Sequence, residues 1–137
     1  MASPSEIHKQ FVDAFNKRDF AAFRNLLHPD YTYTSDGQVK QGPDAGVATA
    51  QGLLVAFPDA ATQINVMREA GELSYGEFLT QGTQTGELMG IPASGKKVAL
   101  FRCNVIEVCD NLIYRERDYS DMMSVLIQIG AMKAPGA

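Results

Sequence analysis

The chain has 137 residues, of which 45% are hydrophobic and 20% charged, and its net charge is −4. That length fits one domain, residues 1–137, able to bury a core without disulfide or metal staples. The acidic balance offers no basic footprint for nucleic acid, and no apolar run approaches a membrane span. The opening MASPSEIHK lacks the apolar core of a secretory signal, so the expected location is cytoplasmic.

Ser3-Pro4-Ser5-Glu6 reads as a capping box with proline in the first turn. The helix it opens carries Ile7, Phe11, Ala14 and Phe15 on one face and ends near Lys17-Arg18. Asp19 can cap a second short helix, with Phe20, Phe23 and Leu27 as its stripe and His28-Pro29-Asp30 as its stop. There His28 reads as a helix C-terminal residue favoured by the dipole rather than as a catalytic group. Tyr31 to Thr34 forms a short strand, Ser35-Asp36-Gly37 a turn, and Val39 to Gln41 a small partner strand. Gly42-Pro43-Asp44 opens a third helix with Val47, Ala50, Leu54 and Phe57, which Pro58-Asp59 ends. Strands then follow over Thr62 to Ala70 and Leu73 to about Gln84, joined by a hairpin at Gly71-Glu72, and a loop runs from Glu87 to Gly95.

From Lys97 the pattern predicts a long strand, a tight turn at Asp110-Asn111, a second strand and a short apolar helix. Unbroken alternation from that turn sets Ile106 opposite Arg115, Asn104 opposite Arg117, Arg102 opposite Tyr119 and Leu100 opposite Asp121. One face then holds Arg102, Asn104, Arg115, Arg117, Tyr119 and Asp121; the other holds Phe101, Cys103, Val105, Glu107, Glu116 and Asp118. Periodicity leaves two readings of the polar row: solvent surface with cross-strand ion pairs, or a pocket wall with polar groups set among apolar ones. Cys103 and Cys109, roughly 20 Å apart along an extended strand, cannot bridge each other and read as free thiols. The two histidines have no clustered acids around them, so no metal site is expected. The last five residues, 133–137, read as a disordered tail. Helices followed by a meander of long strands predict an α+β fold with helices packed on one face of a curved sheet.

Three stretches resemble the SnoaL-like polyketide cyclases, or ester cyclases, of the NTF2-like superfamily. They are GTQTGELMGIP at 82–92, the hairpin Asp110-Asn111-Leu112-Ile113, and DMMSVLIQIG at 121–130. Weaker echoes occur at His28-Pro29-Asp30-Tyr31 and Gly42-Pro43-Asp44. The resemblance implies a cone: a curved antiparallel sheet wrapped over three N-terminal helices, with a short C-terminal helix. It implies that the face holding Asp121 lines the cone, so that Gln84, Arg102, Asn104, Arg117 and Tyr119 meet a substrate there. It also implies a homodimer through the outer sheet face, whose centre at Ala99, Phe101, Cys103 and Val105 is too apolar to leave in water.

By that resemblance Asp121 is the general acid/base of an intramolecular aldol-type ring closure on a carbonyl-rich polycyclic metabolite, with neither cofactor nor metal. Asn104, Gln84 and Arg102 would hydrogen-bond the enolate or ketone oxygens. Phe11, Phe15, Tyr33 and Phe78 would stack on a flat ligand. Asp121 has a second reading, as N-cap of the last helix, and Asp118 is the runner-up carboxylate on the outward face. Two departures from the family pattern stand out: Gln84 where histidine is usual, and Arg117 where tryptophan is usual. Glutamine cannot shuttle protons, and an arginine favours an anionic or carbonyl-rich ligand. The alternatives are a water-activating hydrolase, hydroxylase or isomerase in the same pocket, and a non-catalytic small-molecule-binding protein.

Overall fold

The computed structural model describes residues 2–136. Its order is α1 (Pro4–Asn16), α2 (Phe20–Asn25), β1 (Leu27–Ser35), β2 (Gln38–Gln41), α3 (Pro43–Ala56), β3 (Ala61–Ala70), β4 (Leu73–Thr83), β5 (Lys97–Cys109), β6 (Leu112–Ser120) and α4 (Met122–Gln128). The strands form one six-stranded sheet in the order β2-β1-β6-β5-β4-β3. All neighbours are antiparallel except β1 and β6, which run parallel. Residues 133–136 form no helix or strand, and position 137 lies outside the described residues.

Local chemistry explains most element ends. The Ser3 side chain accepts from the Glu6 amide while Glu6 accepts from the Ser3 amide, closing both ends of the capping box. α1 buries Ile7, His8, Phe11, Val12, Ala14 and Phe15. The core lies between these helical faces and the inner side of the sheet, where Ile106, Ile113 and Val125 are almost fully buried. α3 approaches β1 closely: a Cβ on Gly46 would meet Tyr31 Cε1 at 2.8 Å, so only glycine lets the Tyr31 ring lie where it does. Asp110 and Asn111 both take positive φ, 53° and 63°, as the two-residue turn requires.

Two expectations need correction. The second helix ends at Asn25, so His28 lies in β1 rather than at a helix end. Pro29 is tolerated there because it falls between Leu27 and Thr32, where the β1–β6 pairing is interrupted and no ladder donor is lost. The second correction concerns β6. Pairing begins as expected with Cys109–Leu112, but it jumps from Val108–Ile113 to Glu107–Arg115, leaving Tyr114 as an extra residue in a β-bulge. Every later residue of β6 therefore sits one place away from simple alternation. Asn104 pairs with Asp118, not Arg117, and Cys103 pairs with Tyr119.

Candidate active site

The bulge decides which side chains face the helices. Glu116 and Asp118 turn inward, 7% and 5% exposed, whereas Tyr119 is 61% exposed on the outer side. Arg117 also lies outside, where its guanidinium meets Glu107 at 3.8 Å. The outward placement expected of Asp118, and the inward one expected of Arg117 and Tyr119, are thus reversed by one inserted residue.

The inward groups border a cavity of about 330 Å3 between the sheet and the helices. Its apolar wall includes Phe11, Phe15, Phe23, Leu53, Phe78 and Leu100; its polar wall includes Tyr31, Tyr33, Arg102, Asn104, Glu116 and Asp118. The volume falls within the range of small-molecule pockets. Of the residues singled out from sequence, Phe11, Phe15, Tyr33, Phe78, Arg102 and Asn104 come together here, as does the runner-up carboxylate Asp118.

Tyr31, Arg102, Asn104, Glu116 and Asp118 form a connected network. Asn104 Nδ2 donates to Glu116 Oε2 at 2.8 Å and to Asp118 Oδ1 at 3.0 Å. The Tyr31 hydroxyl donates to Glu116 Oε1 at 2.5 Å. The Ser120 hydroxyl donates to Asp118 Oδ2 at 2.7 Å, and Arg102 Nη1 stands 3.6 Å from the same oxygen. Behind Asn104, its Oδ1 lies 2.8 Å from His8 Nε2, and His8 Nδ1 lies 2.8 Å from Ser74 Oγ. Arg102 lines the cavity, and its buried Nε has no hydrogen-bond partner among the described residues.

Electrostatics follow from this burial. Desolvation pushes the Glu116 carboxyl above its ordinary range, against the donors Tyr31 and Asn104, which favour its charged form. Burial and the nearby carboxylates raise both Tyr31 and Tyr33 well above a normal phenol, so these hydroxyls are donors rather than bases. Desolvation lowers His8 from 6.5 to about 4, keeping its ring neutral near pH 7.

Gln84 and Asp121 sit elsewhere. Gln84 is fully buried, but its side chain braces the 87–95 loop: Nε2 donates to the carbonyls of Ile91 and Pro92, and Oε1 accepts from the Ser94 amide. Asp121 caps α4, accepting from the Ser124 amide at 3.1 Å. It borders a second, more open cleft of about 750 Å3, together with Phe101 and Tyr119. Arg102 and Asp118 line both spaces and so stand between the outer cleft and the inner cavity.

A family model described as SnoaL-like polyketide cyclase matches residues 5–129. The chain belongs to the SnoaL-like polyketide cyclase family. Aklanonic acid methyl ester cyclase DnrD of Streptomyces peucetius is 25% identical to it over 134 residues, 95% of this chain and 92% of that relative. Among solved structures, AclR of Streptomyces galilaeus superposes with a TM-score of 0.86 at 21% identity, over 96% of this chain and 83% of its own. TsrD of Streptomyces laurentii gives 0.84 at 23% identity, over 93% and 95%.

Within this SnoaL-like chain, the sequence reading missed Glu116, Tyr31, His8 and Ser74 as site residues, and alternation turned the runner-up carboxylate, Asp118, outward. His8 carried a usable signal, because it shares the buried face of α1 with Phe11, Val12 and Phe15. A polar residue on an apolar stripe needs buried partners, and here it has two. As for a metal, the one trio of potential ligands among the described residues is His28, Cys109 and Asp110. His28 Nδ1 already accepts from the Asp30 amide, which places a neutral ring's proton on Nε2, facing Asp110 at 3.6 Å. In that tautomer the ring is a donor to the carboxylate and offers no free lone pair to an ion.

Proposed function

We propose that this chain catalyses an intramolecular aldol-type ring closure on a carbonyl-rich, ester-bearing polycyclic molecule held in the 330 Å3 cavity, with Asp118 as the acid/base. The observation that carries the reading is the position of the Asp118 carboxylate. It lies on the cavity wall, oriented by Asn104 and Ser120, with the Arg102 guanidinium beside it. A carboxylate is a mild base, so the proton it removes must be acidic, as on a carbon between a ketone and an ester carbonyl. Asp118 takes that proton, and negative charge moves onto the enolate oxygens. Arg102 and the Tyr33 hydroxyl supply donors where this charge develops. The enolate carbon attacks a ketone carbon of the same molecule; a C–C bond forms and the ketone becomes an alkoxide. Asp118 returns its proton to that alkoxide, so substrate and product are isomers. The aromatic wall folds the substrate into a reactive shape, which supplies a proximity advantage besides the proton transfer.

Membership of the cyclase family supports the reaction class, and the aklanonic acid methyl ester cyclase relative supports an ester-bearing polyketide as substrate. The test compares Asp118→Asn with Asp121→Asn on a panel of polycyclic β-keto esters. Asp118→Asn is expected to bind, read as a ligand-induced rise in melting temperature, and to turn over about 10³-fold more slowly. Asp121→Asn keeps a capping side chain and is expected to stay within about threefold of the native rate. The reverse order of effects would return the acid/base role to Asp121.

A second copy of the chain is proposed to cover the outer side of the sheet. Phe101 and Tyr119 are 62% and 61% exposed there, beside the half-buried Cys103. An apolar patch of this kind on a sheet face is covered in most stable proteins. Sedimentation of the native chain is expected to give a dimer and Phe101→Asp a monomer; a native monomer at micromolar concentration refutes this assembly.

A further inference from the structure

Ser74 on β4, His8 on α1 and Asn104 on β5 form a line that ends on the two carboxyl groups of β6. Ser74 and His8 have no exposed surface and Asn104 has 2%. The polarity of this line follows from counting donors and acceptors. Two carboxyl groups, Glu116 and Asp118, meet the same end of the Asn104 amide, and only an NH2 group has a proton for each. The amide oxygen must therefore face His8, and His8 must present an N–H to it from Nε2. Nδ1 is then bare and accepts the Ser74 hydroxyl. Each partner has one role: turning the His8 ring breaks two bonds and turning the Asn104 amide breaks three. The ring stays neutral because burial disfavours its charged form, and its other flank packs edge-on against Phe78, with centroids 5.2 Å apart.

The geometry points to His8 as the positioning residue of this site: its Nε2–H locks the Asn104 amide in the one orientation that gives both Glu116 and Asp118 a hydrogen-bond donor. His8 is not among the residues that line the cavity, so it acts through Asn104 and not on substrate. The claim rests on Asp118 being the acid/base. Without the lock, Asn104 can turn its oxygen toward the carboxylates, which favours their protonated forms and depletes the base. The other titratable groups bordering the same space are Tyr31 and Tyr33 from β1, Arg102 from β5, Asp36 from the turn after β1 and Glu87 from the loop after β4. α1 brings only His8 to the network, and α3 faces it with Gly46, Thr49, Ala50 and Leu53.

The test uses the full chain and the variants His8→Phe and His8→Gln. Nitrogen-15 NMR of the native His8 ring is expected to show Nε2 protonated and Nδ1 bare. Carbon-13 titration of the Glu116 and Asp118 carboxyls is expected to move upward by about one pH unit in His8→Phe and to return most of the way in His8→Gln, which keeps an N–H. With a turned-over ester, His8→Phe should lower kcat about 30-fold with KM within threefold, and shift the acid limb of kcat/KM to higher pH. A native ring protonated on Nδ1 overturns the proposal, as does a carboxyl titration that His8→Phe leaves unmoved. If His8→Phe does not fold, the native tautomer and His8→Gln still decide it. The NMR readouts need no substrate, so they settle the lock even if Asp118→Asn keeps full turnover and the acid/base assignment falls.

Discussion

On the inner side of the β5–β6 hairpin, Arg102, Asn104, Glu116 and Asp118 are more than four-fifths buried; hydrogen bonds tie Asn104 to both carboxyl groups and to His8 on α1, Glu116 to Tyr31 on β1, and His8 in turn to Ser74 on β4. On the outer side of the same two strands, Arg117 and Glu107 stand 3.8 Å apart, each about one-third exposed, and Phe101 and Tyr119 project into solvent. The residue types are alike; the surroundings are not. Water screens the outer pair, which leaves it worth roughly 0–1 kcal/mol. Inside, each group depends on the next, because a buried polar atom that loses its partner keeps its desolvation cost. Polarity on a strand is thus weak evidence for a site until the face is known.

Acid should separate the two sides most sharply. His8 is lowered from 6.5 to about 4, so between these values the unfolded chain binds the extra proton. Stability is then expected to fall by about 3 kcal/mol as pH drops from 6.5 to 4, and this contribution vanishes above 6.5. Glu116 is shifted the other way: its raised carboxyl contributes stability below 4.5 that is lost as pH rises through its folded value. The His8 part is therefore read as the difference between native and His8→Gln urea midpoints across pH 4 to 7. A flat difference would mean that the inner network does not hold the ring neutral.

Tyr31→Phe removes one of the two donors to Glu116 without changing the shape of the core. It is expected to cost about 2 kcal/mol in chemical denaturation and to raise the Glu116 carboxyl further. Asp121→Ala deletes the cap of α4 and should cost about 1 kcal/mol. Arg117→Ala breaks the outer ion pair and should change stability by less than about 0.5 kcal/mol, with a cost as large as that of Tyr31→Phe erasing the contrast.

Much of this was legible in the chain itself. The capping box at Ser3, the turn at Asp110-Asn111 and the alternation of β5 are local rules with local causes. Motifs at 82–92 and 121–130 pointed to the family that the model of residues 5–129 establishes. The bulge was not legible, because Tyr114 suits either side of a strand and nothing nearby marks an inserted residue. Its position reflects β1 as well as β5: Tyr114 packs edge-on against His28, 5.1 Å away, in the first residues of β1, where sequence alone read a helix end. Gln84 was read as a ligand holder because it stands where the family places histidine; its actual partners are three backbone groups that become neighbours only once the 87–95 loop folds back.

The extra residue in β6 has a consequence for how the strand tolerates change. Ile113 is buried at an odd position, Glu116 and Asp118 at even ones, and Tyr114 and Arg115 between them are both partly exposed. A scan of all single substitutions along 112–120 should therefore show a two-residue rhythm with a phase break: sensitive at 113, permissive at 114 and 115, sensitive again at 116 and 118. Deleting Tyr114 would remove the break yet keep Arg115 opposite Glu107 and Glu116 opposite Ile106. The strand can thus lose a residue at that one place, and almost nowhere else, without turning its carboxyl groups out of the cone.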